Sequence, residues 1–159
     1  MKAPTIALAA LLALSACTQS QVSAGQLNEA ASLPLAFKFS KLGLRVLATF
    51  INRRQATTAT LYGNDLARQA ALAGPGAAQP GEVLALLTWQ QQPDPNWFGA
   101  RIPGALQSLE LLRTGPGDAG RPVVRYQCFV GKNLVPQADT LHRRARIAYL
   151  LAQKPAVLP

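Results

Sequence analysis

The residues whose chemistry can be inferred most directly are Leu14-Ser15-Ala16-Cys17, near the start of the chain. They follow a basic residue, Lys2, and the apolar run of residues 6–14, which are the parts of a secretory signal. A cysteine directly after small residues is typical of bacterial lipoproteins, in which the chain is cut before the cysteine and the new N-terminus is acylated. We therefore predict a lipoprotein signal peptide over residues 1–16 and lipidation of Cys17.

The predicted lipid anchor indicates where the protein lies. Several acyl chains on one residue hold a protein stably in a bilayer, because each buried methylene contributes about 0.8 kcal/mol. The apolar run itself is too short to span a membrane. Thr18 follows Cys17, and no aspartate stands there to retain the protein at the inner membrane. We therefore expect it in the outer membrane, facing the periplasm; the alternative is an ordinary signal peptide that ends near Ala16.

The charge balance favours anionic partners. The formal net charge is +9, and no acidic residue stands between Glu29 and Asp65, an interval with five basic residues. A second basic cluster covers residues 142–146. Behind a lipoprotein signal such charges predict contact with lipid phosphate or acidic envelope polymers, not with nucleic acid. The alternative, which we favour, is a solvated basic surface without a specific partner.

The sequence offers few candidates for catalysis. Its one histidine, His142, stands among arginines, which repel a metal ion. Cys128 lies in the strand-like run 123–129, where we expect a buried and unreactive thiol. The acidic residues are scattered, and no cluster of histidine, cysteine, aspartate or glutamate has the spacing of metal ligands. We predict no catalytic residue, no metal and no cofactor, and favour a non-enzymatic role.

The aromatic stretch over residues 89–104 is the main candidate for a binding site. It contains both tryptophans of the chain and, with three prolines and two glycines after residue 92, predicts a long irregular loop over the end of a sheet. Four side chains could bind a ligand there by combining flat apolar surface with one charge: Trp89, Trp97, Phe98 and Arg101. The alternative, which we favour, is that Trp97 and Phe98 fill the core while Arg101 is solvated.

The rest of the chain predicts the elements that hold this stretch in place. Residues 17–32 have the composition of a flexible tether, and residues 33–159 form one domain. Five runs have the pattern of strands: 44–51, 57–62, 83–89, 106–112 and 123–129. Helices are predicted over residues 66–73 and 139–153, the first capped by Asn64 or Asp65 and the second by Asp139. Because most connections are too short for parallel crossovers, we predict an α+β fold in which two helices cover one side of an antiparallel sheet.

The last predicted helix divides into two faces. An apolar face would contain Leu141 and three alanines at helical spacing, Ala145, Ala148 and Ala152. The opposite, polar face would contain His142, Arg146, Tyr149 and Gln153. This division predicts that the alanine face packs on the sheet and that Arg146 lies in solvent.

Several of these segments resemble the cytochrome P-460 domain family. The segments are Leu61-Tyr62-Gly63-Asn64-Asp65, Thr88-Trp89, the loop Asp94-Pro95-Asn96-Trp97-Phe98-Gly99-Ala100-Arg101-Ile102-Pro103-Gly104, and Ser108-Leu109-Glu110. The closing residues 145–159 are similar to the tail of haem-less relatives in that family. The resemblance extends over residues 42–159, and the long aromatic loop is its most specific part.

The resemblance implies a mainly antiparallel β domain with helices. Such domains are often periplasmic, and they often form homodimers. Haem-bearing members of the family hold a c-type haem and act on hydroxylamine or nitric oxide. This sequence lacks the Cys-x-x-Cys-His motif, and its strand over residues 82–89 has no lysine that could cross-link a haem. We therefore transfer the fold and withhold the redox chemistry.

Three functions follow from these observations. We favour a lipid-anchored periplasmic module that binds a ligand or partner without catalysis. The first alternative is a redox protein for small nitrogen species that binds haem non-covalently through His142, Cys128 or a tyrosine. The second alternative is an envelope-structural lipoprotein whose basic clusters bind anionic lipid or polymer.

Overall fold

The structure, a computed structural model, describes residues 27–74, 78–118, 121–138 and 141–156. The predicted signal peptide, the lipidation site Cys17 and the tether up to residue 26 lie outside the described residues, as does Asp139. Within the described ranges, no helix is both long and apolar enough to cross a membrane.

A single six-stranded antiparallel sheet forms the domain, with its strands hydrogen-bonded in the order of the chain. The strands are β1 (Arg45–Asn52), β2 (Thr57–Gly63), β3 (Val83–Pro93), β4 (Arg101–Gly115), β5 (Val123–Val130) and β6 (Val135–Gln137). Helix α1 (Asp65–Ala73) joins β2 to β3, and helix α2 (Arg143–Leu151) follows β6. The predicted antiparallel sheet with two helices is confirmed; the three-residue strand β6 was not predicted, because it is too short to show a pattern.

Side chains that alternate along the strands divide the core into two layers. Leu84 and Leu86 of β3 belong to a helix-side core that also includes Ala67 of α1 and Leu150 of α2. Both helices therefore pack on the same side of the sheet, as predicted. Leu87 and its neighbours on β3 and β4 form the opposite core, which we call the N-terminal-side core: Ala85, Leu87, Trp89, Leu106, Leu109 and Leu111.

The segment before β1 covers the N-terminal-side core. It contains two short 3-10 helices, Glu29–Ala31 and Phe39–Leu42. The Trp89 indole N–H donates to the carbonyl oxygen of Ala31 over 2.9 Å. The Phe39 ring meets the Tyr62 ring edge-on, with 4.9 Å between centroids. Residues 27–32, the last part of the predicted tether, thus lie on the sheet.

Helix α1 begins as the sequence predicts. The Asn64 side-chain oxygen accepts hydrogen bonds from the backbone N–H of Ala67 at 3.0 Å and of Val83 at 3.2 Å. One amide therefore caps the helix and fastens it to the first residue of β3. Gly63 allows close packing here, since a Cβ at that position would lie 2.6 Å from the Leu47 side chain.

Helix α2 differs from the prediction in its start and in the face that it buries. It begins at Arg143, after His142, and not at residue 139. Ile147 and Leu150 pack into the helix-side core, whereas Ala145 and Ala148 are exposed. The predicted alanine face is therefore wrong. The physical reason is that Arg146 has an acidic partner on the sheet, so the helix turns this arginine inward.

Candidate functional site

The pairing of β3 with β4 continues beyond the ends of the neighbouring strands. On one side, the register with β2 ends at Gln90, which lies opposite Thr57. On the other side, the register with β5 ends at Ser108, opposite Val130. The pairs from Gln91 to Pro93 therefore form a two-stranded ribbon that projects from the sheet. We call residues 91–103, with the loop at its tip, the hairpin arm.

The base of the hairpin arm is fastened to the β1–β2 turn by glutamines. The backbone N–H of Gln91 donates to the carbonyl oxygen of Ala56 at 2.8 Å, and the Gln90 side chain donates to the same oxygen at 2.9 Å. The Gln91 side chain donates to the Thr58 hydroxyl at 2.9 Å. These contacts hold the arm in one direction relative to the sheet.

The loop at the tip of the arm is an ordered turn that hydrogen bonds close. The Asp94 carboxylate accepts a hydrogen bond from the backbone N–H of Asn96 at 2.8 Å. The N–H of Ala100 donates to the carbonyl oxygen of Trp97 at 3.1 Å, which closes a four-residue turn. Its third residue, Gly99, has φ of 80°, a conformation that glycine adopts without strain. This turn displays Trp97 and Phe98.

The two aromatic side chains of the tip lie in solvent. Trp97 is 73% exposed and Phe98 is fully exposed, at 110% of the reference value. The prediction that this stretch packs over the end of the sheet, and the alternative that the two rings fill the core, are both wrong. Strand pairing that continues to Pro93 and Arg101 carries the loop away from the core. Prolines are tolerated there because the arm has no further strand beside it among the described residues.

The four predicted ligand-binding residues do not form one site. Trp89 is 8% exposed and belongs to the N-terminal-side core. Arg101 is exposed and lines a cleft of about 590 Å³ together with Arg53 and Thr58. Trp97 and Phe98 project from the tip. The structure thus places three of the four residues on the hairpin arm and the fourth in the core below it.

The described chain begins beside the hairpin arm. Leu27 and Glu29 line a surface cavity of about 650 Å³ with Asp94 and Asn96 of the arm. The Asn28 side chain donates to the carbonyl oxygen of Pro103 at 2.6 Å. The segment that comes from Cys17 therefore reaches the domain next to the exposed aromatic tip.

The end of the sheet that carries the arm is basic. In this antiparallel order the β1–β2 turn, the hairpin arm and the β5–β6 turn all lie at one end, which we call the hairpin end. Its basic residues are exposed, and they outnumber the acidic ones, Glu29 and Asp94. The basic residues are Arg53, Arg54, Arg101 and Lys132.

A second cluster, buried on the helix side, was not predicted. Arg146 of α2 forms a bidentate ion pair with Glu110 of β4, with Nε to Oε2 at 2.9 Å and the second nitrogen to Oε1 at 2.6 Å. The Tyr126 hydroxyl donates to Glu110 Oε2 at 2.6 Å. Burial and the neighbouring Glu110 raise the pKa of Tyr126 well above its usual range. The hydrogen bond to Glu110 raises the pKa of Arg146.

This cluster joins helix α2 to the sheet. Both Glu110 oxygens are occupied, and the Arg146 guanidinium also lies 4.7 Å from the centre of the Tyr149 ring. The network therefore pins α2 to the middle of the sheet. Its sequence signal is Glu110 inside the apolar strand 109–112, because a charge in such a strand must have a partner. Nothing local indicates that the partner is Arg146, 36 residues later.

Three of the residues that could ligate a haem, His142, Tyr126 and Cys128, have surroundings that do not fit that group. His142 is exposed at the N-terminus of α2. The Tyr126 hydroxyl donates a hydrogen bond to Glu110, and half-buried Cys128 lies directly across from Glu110 on the neighbouring strand. None of the three lines the clefts at the hairpin end. Across the described residues, no three histidine, cysteine, aspartate or glutamate side chains lie close enough to hold a metal ion.

Comparison with known proteins leaves the family of the chain open. No protein-family model and no curated protein matches it. The likeness to the cytochrome P-460 domain family therefore stays a prediction from the residues.

Proposed function

We propose that this chain is a lipid-anchored binding protein of the bacterial cell envelope that acts without catalysis and takes its partner at the hairpin end. In this proposal Cys17 carries the anchor, and the domain is a cytochrome P-460-like fold without covalent haem on the periplasmic face of the outer membrane. The observation that carries the proposal is the display of Trp97 and Phe98 on an ordered turn, both largely in solvent.

Such a display is typical of binding surfaces. Large aromatic side chains and arginine are the residue types that contribute most to the binding free energy at interfaces. Here Trp97, Phe98 and Arg101 stand within five residues of one another on the arm. The turn closed between Trp97 and Ala100 already orders the tip, so a partner loses less conformational entropy on binding than it would with a flexible loop.

The buried cluster around Glu110 supports a non-catalytic role. Glu110 is a carboxylate in an apolar setting, as a general acid or base often is. However, both of its oxygens are paired, with Tyr126 and with Arg146, and the cluster lies under α2. These groups stabilise the fold and are not presented to a substrate.

An absorption spectrum tests the haem alternative. The mature chain, purified from the envelope, is expected to show no Soret band, and haemin added to it is expected to bind without saturation. A Soret band that shifts on reduction and is lost in a Tyr126→Phe or His142→Ala variant would contradict the proposal. An Arg144→Ala variant, altered at an exposed residue of helix α2 two positions after His142, is the matched control.

Hydroxyl-radical footprinting in isolated envelopes tests the binding proposal. The two tryptophans provide a comparison inside one chain, because Trp97 is 73% exposed and Trp89 is 8% exposed. With an unoccupied tip, Trp97 oxidises several times faster than Trp89. With a partner at the hairpin end, the Trp97 rate falls towards the Trp89 rate, while Leu141 on the helix side, 90% exposed, stays reactive. A Trp97 rate in envelopes that stays several times the Trp89 rate would overturn the proposal.

A further inference from the structure

The point at which the chain enters the domain limits how the domain can lie. Leu27 is ten residues after Cys17. An extended chain covers at most about 3.5 Å per residue, so ten residues reach about 35 Å at most. Because Leu27 lies beside Asp94 and Asn96, the hairpin arm is the part of the domain next to the end of this connection. An acylated Cys17 therefore keeps the arm close to the bilayer.

The hairpin end also has the chemistry of a membrane-binding surface. Tryptophan is enriched where a protein meets the headgroup region, because its ring is apolar and its N–H is polar. Trp97 and Phe98 project from the tip, and the exposed arginines of the hairpin end lie behind them. Basic residues near an anionic leaflet are attracted to lipid phosphate, and each strengthens binding about fivefold.

We infer that the hairpin end docks on the bilayer that carries the anchor, with Trp97 and Phe98 in the headgroup region and Arg53, Arg54 and Arg101 on anionic lipid phosphates. This inference rests on the proposed function and names the partner of the same site. The lipid then serves as a tether, and the arm sets the orientation of the domain, with the opposite end of the sheet directed away from the contact.

The opposite end of the sheet also has exposed arginines, Arg45, Arg113 and Arg121, but it has no exposed aromatic tip among the described residues. There the Asn64 side chain bonds Ala67, Val83 and Gly81, and the backbone N–H of buried Glu82 donates to the Thr114 hydroxyl at 2.8 Å. These polar groups satisfy one another within the protein. No residue as exposed as Phe98 stands at that end among those that the structure describes.

Tryptophan fluorescence in reconstituted vesicles tests the inference directly. A Trp89→Phe variant of the acylated full-length mature chain leaves Trp97 as the only tryptophan. In vesicles with phosphatidylglycerol and brominated acyl chains, we expect Trp97 emission to shift to the blue and to be quenched. In vesicles of phosphatidylcholine alone, or at high salt, quenching should weaken because the arginines lose their anionic partners.

A matched variant and a charge series complete the test. Trp97→Phe keeps only buried Trp89, whose emission should be unchanged by brominated lipid. Replacing Arg53, Arg54 and Arg101 together by glutamine should lower the equilibrium constant for docking of the tip about a hundredfold, at about fivefold for each charge. The fraction of Trp97 emission that brominated lipid quenches measures this constant. Footprinting of the unaltered chain on the same vesicles repeats the measurement without any substitution, so it does not depend on how a variant folds.

The outcomes separate the two proposals. Protection of Trp97 both in envelopes and on pure anionic vesicles supports both. Protection in envelopes but not on pure vesicles overturns the bilayer inference and keeps the binding function, with a protein, a polymer or a second copy of this chain as the partner. A tip that stays reactive in both settings overturns both.

Discussion

The buried cluster on the helix side and the tip of the hairpin arm contain the same kinds of residue in opposite settings. Each combines aromatic rings with an arginine: Tyr126 and Tyr149 with Arg146 in the cluster, and Trp97 and Phe98 with Arg101 at the tip. Arg146 is bonded to Glu110 through two nitrogens, whereas Arg101 lines an open cleft. Residue type alone therefore does not identify a binding site; what matters is whether the fold has already supplied the partner.

The largest effect on stability is expected when the arginine of the buried cluster is removed. Arg146→Ala leaves the Glu110 carboxylate buried and charged, and we expect it to lower the free energy of unfolding by about 2–3 kcal/mol. This value lies below the usual loss of about 3–5 kcal/mol for a broken buried ion pair, because the Arg146 side chain is 34% exposed. Urea denaturation of the mature chain measures it.

The control is Arg144→Ala, an exposed position on the same helix, for which we expect a change below about 0.5 kcal/mol. A Glu110→Leu, Arg146→Leu double variant should regain most of the lost stability, since a buried pair can be replaced by apolar side chains. Equal losses for Arg146→Ala and Arg144→Ala would show that the ion pair does not hold α2.

The tyrosine of the cluster makes stability depend on pH at the alkaline end. Its folded-state pKa is raised above the unfolded value near 10, so its contribution is complete below pH 10 and decreases as pH rises further. Tyr126→Phe should cost about 1.5 kcal/mol at pH 7 and make the alkaline decline shallower. The decline should not vanish, because burial also raises the pKa of Tyr62.

Unfolding of the Tyr126→Phe and Tyr62→Phe variants between pH 8 and 11 checks this prediction, with alkaline tyrosine absorbance as a second measurement. If both variants keep the full alkaline decline of the parent protein, the assignment of that decline to these two hydroxyls is wrong.

Trp89 gives a smaller effect that concerns the N-terminal segment alone. Trp89→Phe removes the N–H that donates to Ala31 and leaves most of the apolar ring, so we expect a loss of about 1 kcal/mol. Amide hydrogen exchange should show faster exchange in residues 28–32, with little change in α2. Faster exchange throughout the sheet would mean that this segment does not behave as a separate cover.

The smallest effect on stability is expected at the tip, where the effect on binding is largest. Replacing Trp97 and Phe98 together by alanine should change the free energy of unfolding by less than about 0.5 kcal/mol, because both side chains lie in solvent. The same variant should lose its contact with anionic vesicles, measured by footprinting of the Arg101 peptide. A large loss of stability would show that the rings pack on the domain after all.

Local patterns sufficed for much of the fold. The first two strands, the Asn64 cap and the start of β3 follow from residues close together in the chain, and the structure has them within one residue of the prediction. The length of β3 and β4 was underestimated, since prolines and glycines in the arm indicate a loop unless the open side of the ribbon is known.

The sequence did not predict how the candidate binding residues are arranged. Trp97, Phe98 and Arg101 do lie on one element, but their exposure depends on how far β3 and β4 run beyond β2 and β5. Glu110 could be recognised as a charge in an apolar strand, whereas its partner on α2 could not.

The sequence by itself determined the order of the five longer strands and two helices, the Asn64 cap and the basic character of the chain, because these depend on side-chain periods and on residues a few positions apart. Only the tertiary structure decided which face of α2 is buried and that the aromatic tip stands in solvent beside the entry of the chain. Both depend on contacts between distant residues: Arg146 turns inward because Glu110 lies opposite it, and Trp97 stays outside because no described strand accompanies the arm.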